Sequence, residues 1–224
     1  MFKEYKVIVT GASTVLGEML VKTFLSQGAL VLGIDKTDSC IKDDHYRFIR
    51  HAFVSTASAE SVCAVAKSYF EGSLDILINI MPGQEYGNLQ SVSGKDFAEC
   101  LTESLFPTIE MTRELYTMLS NSEQENPSVV NIGSSYSRNV TMSSGLECLC
   151  AQALISLTRM QAGFFDGVRC NSISPVKPEN PDICQDIINS VLFLCSRDAS
   201  YITGADFLLD YGESARNAAR LEAK

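Results

Sequence analysis

This 224-residue sequence offers a hydroxyl at Ser134 and a carboxylate at Glu147. A serine hydroxyl can donate to a carbonyl or alcohol oxygen, and a carboxylate can take up a proton as a general base. A plainer reading makes Glu147 an exposed residue on the first turn of a helix, where the dipole favours negative charge. A second stretch, Thr10-Gly11-Ala12-Ser13-Thr14-Val15-Leu16-Gly17, follows a short apolar run and opens a segment with helical spacing. A glycine-rich turn at such a junction brings pyrophosphate to a helix N-terminus. Asp35 ends the next apolar run, where a carboxylate accepts from ribose hydroxyls and repels a 2′-phosphate, favouring NAD over NADP. Its plainer reading is the start of a loop.

Other chemistries have little to build on. The eight cysteines are scattered through apolar patterns with no Cys-x-x-Cys, so they read as buried free thiols rather than a disulfide framework. With His45 and His51 the only histidines, no metal site is expected. A formal charge of −9 argues against nucleic acid or an anionic membrane as partner. The charged start, Met1-Phe2-Lys3-Glu4-Tyr5-Lys6, does not resemble a signal peptide, and no apolar run approaches spanning length; the expected location is cytoplasmic.

The elements that must position these residues follow from the hydrophobic pattern. Nearly unbroken apolar runs at Val7 to Val9, Ala29 to Ile34, Leu74 to Ile78 and Val129 to Ile132 suit parallel strands covered on both faces, with weaker runs at Val168 to Ser174 and Phe207 to Leu209. Helical spacing fills the intervals, including long stretches from Phe97 to Leu119 and from Leu146 to Gln161. Alternation of strand and helix predicts an α/β fold, a single-domain Rossmann-type doubly wound parallel sheet of about seven strands. The domain is expected over 1–213, with 214–224 a solvated tail.

The frame Val129-Val130-Asn131-Ile132-Gly133-Ser134, with Val168-Arg169-Cys170-Asn171-Ser172-Ile173-Ser174-Pro175 and the run from Val191 to Gly204, resembles the short-chain dehydrogenase/reductase family over nearly the whole chain. The resemblance implies a Thr-Gly-x-x-x-Gly-x-Gly turn for NAD or NADP, here using Gly11, Ser13, Leu16 and Gly17 but with Val15 in place of the middle glycine. That substitution adds bulk where backbone should approach the cofactor, so weakened binding is expected. Asn79 keeps one residue of the family's Asn-Asn-Ala-Gly, which continues here as Ile80-Met81-Pro82. The aspartate that meets adenine is replaced in register by Phe53 ahead of Val54.

The family reduces carbonyls or oxidises alcohols with a serine, a tyrosine, a lysine and an asparagine. By the resemblance those positions are Ser134, Glu147, Ala151 and Ser104, of which only Ser134 keeps its type. A carboxyl titrates near 4.3 and a phenol near 10, a gap of about 8 kcal/mol in proton affinity, so glutamate is a poor donor to a nascent alkoxide at neutral pH. Tyr136 is no substitute, because position 140, four residues on, holds Val140 where a lysine is needed. The family's substrate lid is shortened to Val176-Lys177-Pro178-Glu179-Asn180-Pro181, which opens the site to water. Three functions follow from the resemblance: a pseudoenzyme or weak NAD-binding regulatory subunit; a non-redox isomerase, dehydratase or cyclase in the same cleft with Glu147 as base and Ser134 as oxygen-binding donor; or a still-active NAD-dependent oxidoreductase. By the same resemblance the helices at 97–119 and 146–161 pair between copies in a homodimer or homotetramer, and a hetero-partner stays open.

Overall fold

Val7 and Val9 point to one side of their strand and Ile8 to the other, and all three are fully buried. The computed structural model describes residues 1–52, 56–81, 87, 90–138, 144–176 and 181–222. Its seven strands are β1 (Lys6–Thr10), β2 (Leu30–Asp35), β3 (Tyr46–Arg50), β4 (Ile76–Ile80), β5 (Ser128–Ile132), β6 (Arg169–Pro175) and β7 (Asp206–Leu209). They pair in parallel in the order β3-β2-β1-β4-β5-β6-β7. The order reverses between β1 and β4, which opens a crevice above the C-terminal ends of those strands.

Helices α1 (Val15–Ser26) and α6 (Pro181–Cys195) cover one face, burying Leu20, Phe24, Ile187 and Val191 against Val7, Val9 and Ile173. Helices α2 (Thr56–Tyr69) and α4 (Phe106–Ser120) cover the other, with Val62, Met111 and Leu115 against Ile8, Leu32 and Leu77. Burying each of these large apolar side chains stabilises the fold by about 1.5–3 kcal/mol. Coverage on both faces explains why the central strands are continuously apolar.

Three details depart from the sequence pattern. The predicted helix from Phe97 to Leu119 is two helices, α3 (Gly94–Ser104) and α4, broken at Leu105. Pro107 lacks the N–H needed to continue the ladder, so the break falls just before it. Strand β3 lay outside the apolar runs because it is an edge strand, only partly buried, with Arg47 and Arg50 exposed. Within the segment read as a solvated tail, residues 214–222 belong to the helix α7 (Glu213–Glu222), exposed at residues 215–217.

Candidate active site

The crevice begins at the β1–α1 turn. Gly11 adopts φ 70°, a left-handed conformation that a Cβ would strain. At Gly17 a Cβ would lie 2.1 Å from the Gly11 carbonyl oxygen, so only glycine lets α1 approach the turn this closely. Thr14 caps the helix: its Oγ1 accepts from Gly17 N at 3.0 Å and donates to Gly11 O at 2.8 Å. Val15 opens α1 with 48% of its surface exposed at the mouth, whereas the Leu16 side chain is buried in the core, leaving its backbone alone to meet a ligand.

Asp35 closes over this turn. Its carboxylate accepts from Ser13 N at 2.9 Å and from Thr37 N at 3.2 Å, and Ser13 Oγ donates to Thr37 O at 2.7 Å. The carboxylate therefore braces the turn rather than simply starting a loop. Beyond it, Lys36 pairs with Glu103 of α3 at 3.8 Å, linking the end of β2 to the helix that follows β4.

Asn79 is 1% exposed. Its amide nitrogen donates to Asn131 Oδ1 at 2.9 Å and lies 3.4 Å from Thr112 Oγ1, while Asn131 in turn donates to Thr158 and Gln161. The structure thus sets Asn79 in a buried amide ladder between the sheet and helices α4 and α5 (Gly145–Phe164), where a cofactor-facing position was expected. Phe53, Val54, Pro82, Val140 and residues 177–180 of the 176–181 segment, where a shortened lid was expected, lie outside the described residues.

Ser134 follows β5, half-buried, and its hydroxyl accepts from Tyr136 N at 3.3 Å as a short 3-10 turn, Ser135–Ser137, begins. Three contacts fix this turn. The Gln152 side chain of α5 donates to the Ser137 carbonyl, Ser137 Oγ lies 3.5 Å from Ser174 Oγ, and Arg138 pairs with Asp206 at 3.6 Å. Asp206 Oδ1 also accepts from Ser172 and Ser174, each at 2.8 Å. This support was not legible in the sequence, because Arg138 and Asp206 lie far apart in the chain and meet only once the turn after β5 packs over the β6–β7 end of the sheet.

Glu147 sits on the first turn of α5 but is 7% exposed, which overturns the reading of an exposed dipole-facing residue. Its charge acts on the thiols of Cys100 and Cys150. Ala151, one turn on, is 1% exposed in an apolar cluster with Met81, Cys100, Leu146, Cys150, Leu154 and Leu157. Ser104 is 6% exposed and hydrogen-bonds the thiols of Cys100 and Cys150. Ser104, Glu147 and Ala151 therefore share one corner between α3 and α5. Of the eight cysteines, Cys40 is exposed and the other seven are buried free thiols. Among the described residues no group of three or more His, Cys, Asp or Glu side chains could hold a metal, and no helix is long and apolar enough to cross a membrane.

A family profile described as short chain dehydrogenase matches residues 5–176. The "Short chain dehydrogenase adrF" of Penicillium roqueforti is 24% identical over 181 residues, covering 78% of this chain and 70% of the relative. The protein of the same description from Penicillium rubens is 23% identical over 250 residues, covering 94% and 97%. Among solved structures, the ligand-free aldohexose dehydrogenase of Thermoplasma acidophilum superposes with a TM-score of 0.83 at 22% identity, covering 96% of each chain. A short chain dehydrogenase from Leptospira borgpetersenii with bound NAD+ gives 0.84 at 21% identity, covering 95% of this chain and 94% of that one. At such identities the superpositions speak to the fold alone.

Proposed function

Because the chain belongs to the short-chain dehydrogenase family, we propose that it is a member without normal carbonyl reductase activity, a regulatory or partner subunit whose affinity for NAD is weak. The observation that carries this reading is Ala151, enclosed among apolar side chains one turn beyond Glu147. That position supplies no cation to a nicotinamide ribose, and Glu147 offers a carboxylate in place of a phenol.

A nicotinamide dinucleotide supplies hydride chemistry when bound, and the residues fit only part of it. The Gly11 to Gly17 turn and the N-terminus of α1 suit a pyrophosphate, and Asp35 would meet the adenosine ribose and disfavour a 2′-phosphate. Against this, the exposed Val15 side chain adds bulk at the same mouth. At the other end Ser134 can hold a substrate oxygen, while Ser104 is bonded to thiols and Ala151 contributes only a methyl group.

Calorimetric titration with NAD and NADH, paired with an assay for carbonyl turnover, tests this. The expected outcome is weak or absent binding and no turnover. Reduction of an aldehyde or ketone by the unmodified protein at about 1–10³ s⁻¹ would overturn it. Turnover appearing only when Val15→Gly, Glu147→Tyr and Ala151→Lys are combined would support it.

Two further readings each have an observation in their favour. The burial of Glu147 favours a non-redox isomerase, dehydratase or cyclase in which it is the base and Ser134 the oxygen-binding donor; Glu147→Gln would then abolish turnover that consumes no NADH. The intact frame of the turn favours a still-active NAD-dependent oxidoreductase. For assembly, Phe97, Ile109, Leu149, Met160 and Phe164 are 40–78% exposed on α3, α4 and α5. These side chains support a homodimer or homotetramer through the helices at 97–119 and 146–161, which sedimentation equilibrium would reveal.

A further inference from the structure

Cys100 on α3 and Cys150 on α5 meet in the corner beside Ala151, with sulfur atoms 3.1 Å apart. Both are buried, 1% and 2% exposed, and Ser104 hydrogen-bonds the pair. We propose that Cys100 and Cys150 are a reversible oxidation site, forming a disulfide with hydrogen peroxide that staples α3 to α5.

The geometry is close to that required. A disulfide bond is about 2.05 Å long, so the sulfurs need to approach by about 1 Å, a movement that side-chain torsions supply. Burial pushes both thiols up, Cys150 to about 12 with its hydrogen bond to Cys100 contributing, while Ser104 favours the thiolate of each. Either sulfur can attack first, with the other resolving it.

The step balances without help from any other group. With Cys100 first, its thiolate attacks one oxygen of hydrogen peroxide; the O–O bond breaks, the leaving oxygen departs as hydroxide, and Cys100 becomes a sulfenic acid. Cys150 gives up its proton and attacks the Cys100 sulfur. The S–O bond breaks, water leaves, and the S–S bond forms. Two thiols and one peroxide give one disulfide and two waters, the sulfurs losing the two electrons that the peroxide gains. Peroxide is small enough to reach a buried pair that larger disulfide oxidants would not enter.

The test uses the full chain. After peroxide treatment the protein is denatured, its free thiols are alkylated, and its peptides are mapped by mass spectrometry without reductant. A cross-linked Cys100–Cys150 peptide, lighter by two hydrogens and lost on reduction, is expected. Recovery of Cys100 and Cys150 as separate alkylated peptides, under conditions that oxidise the exposed Cys40, would overturn the proposal. Cys150→Ser and Cys100→Ser should each lose the cross-link and leave a sulfenic acid on the remaining sulfur, which dimedone captures when the treated protein is unfolded in its presence. Should either variant fail to fold, the unmodified protein's peptide map decides alone.

Discussion

The β1–α1 turn and the α3–α5 corner both lie toward the carboxyl ends of the strands, yet they hold their shape by different means. The turn is polar and braced by hydrogen bonds from Thr14 and Asp35, and its glycines are required by backbone approach. The corner is mostly apolar, filled by Met81, Leu146, Leu154 and the thiols around Ala151. A polar frame can lose one contact and remain a frame for a ligand. An apolar corner has no such reserve, because returning a charge to it means taking that charge out of water.

That contrast predicts an order of effects. Ala151→Lys should be the most damaging, at about 3 kcal/mol in urea unfolding, since an ammonium would enter a buried apolar cluster. A loss under about 1 kcal/mol would mean that the corner admits water and differs little from the turn. Gly17→Ala should destabilise by about 2–3 kcal/mol by the same measurement, because its new methyl would overlap the Gly11 carbonyl. Val15→Gly should change stability by only about 0.5–1 kcal/mol, the helix penalty of glycine, while strengthening NAD binding in calorimetry. If it weakened binding, the turn would not be limited by side-chain bulk.

The smallest effect lies away from both regions. Burial raises the Asp210 pKa, but hydrogen bonds from Ser214 and Gly212 outweigh it and hold the carboxyl below its ordinary value. A depressed folded pKa gives stability that is present above the unfolded value, near 3.9, and is lost as pH falls through the lower folded one. Amides at the start of α7 should therefore exchange faster only below about pH 4. The turn and the corner should show no matching change from this group.

Much of the architecture was legible because burial on both faces leaves an unbroken apolar run, as at Val129 to Ile132. Strand β3 was not, since at the sheet edge Arg47 and Arg50 can stay exposed and interrupt the apolar run of Tyr46, Phe48 and Ile49. The α3–α4 break was written in Pro107 but masked by apolar spacing that continues across it. In the site, the family resemblance, carried over in register, picked out Ser134, Glu147 and Ala151. The burial of Glu147 was hidden, because a first-turn acid ordinarily faces solvent, and the meeting of Cys100 with Cys150 depends on the packing of α3 against α5.

The brace around Gly11 fixes the turn from within the chain. Side chains of Thr14 and Asp35 hold Gly11, Ser13 and Gly17, so the shape that would face a dinucleotide belongs to the folded chain itself. A ligand that enters a preformed turn loses none of its affinity to ordering it, and whatever binds the folded state alone raises the melting temperature accordingly.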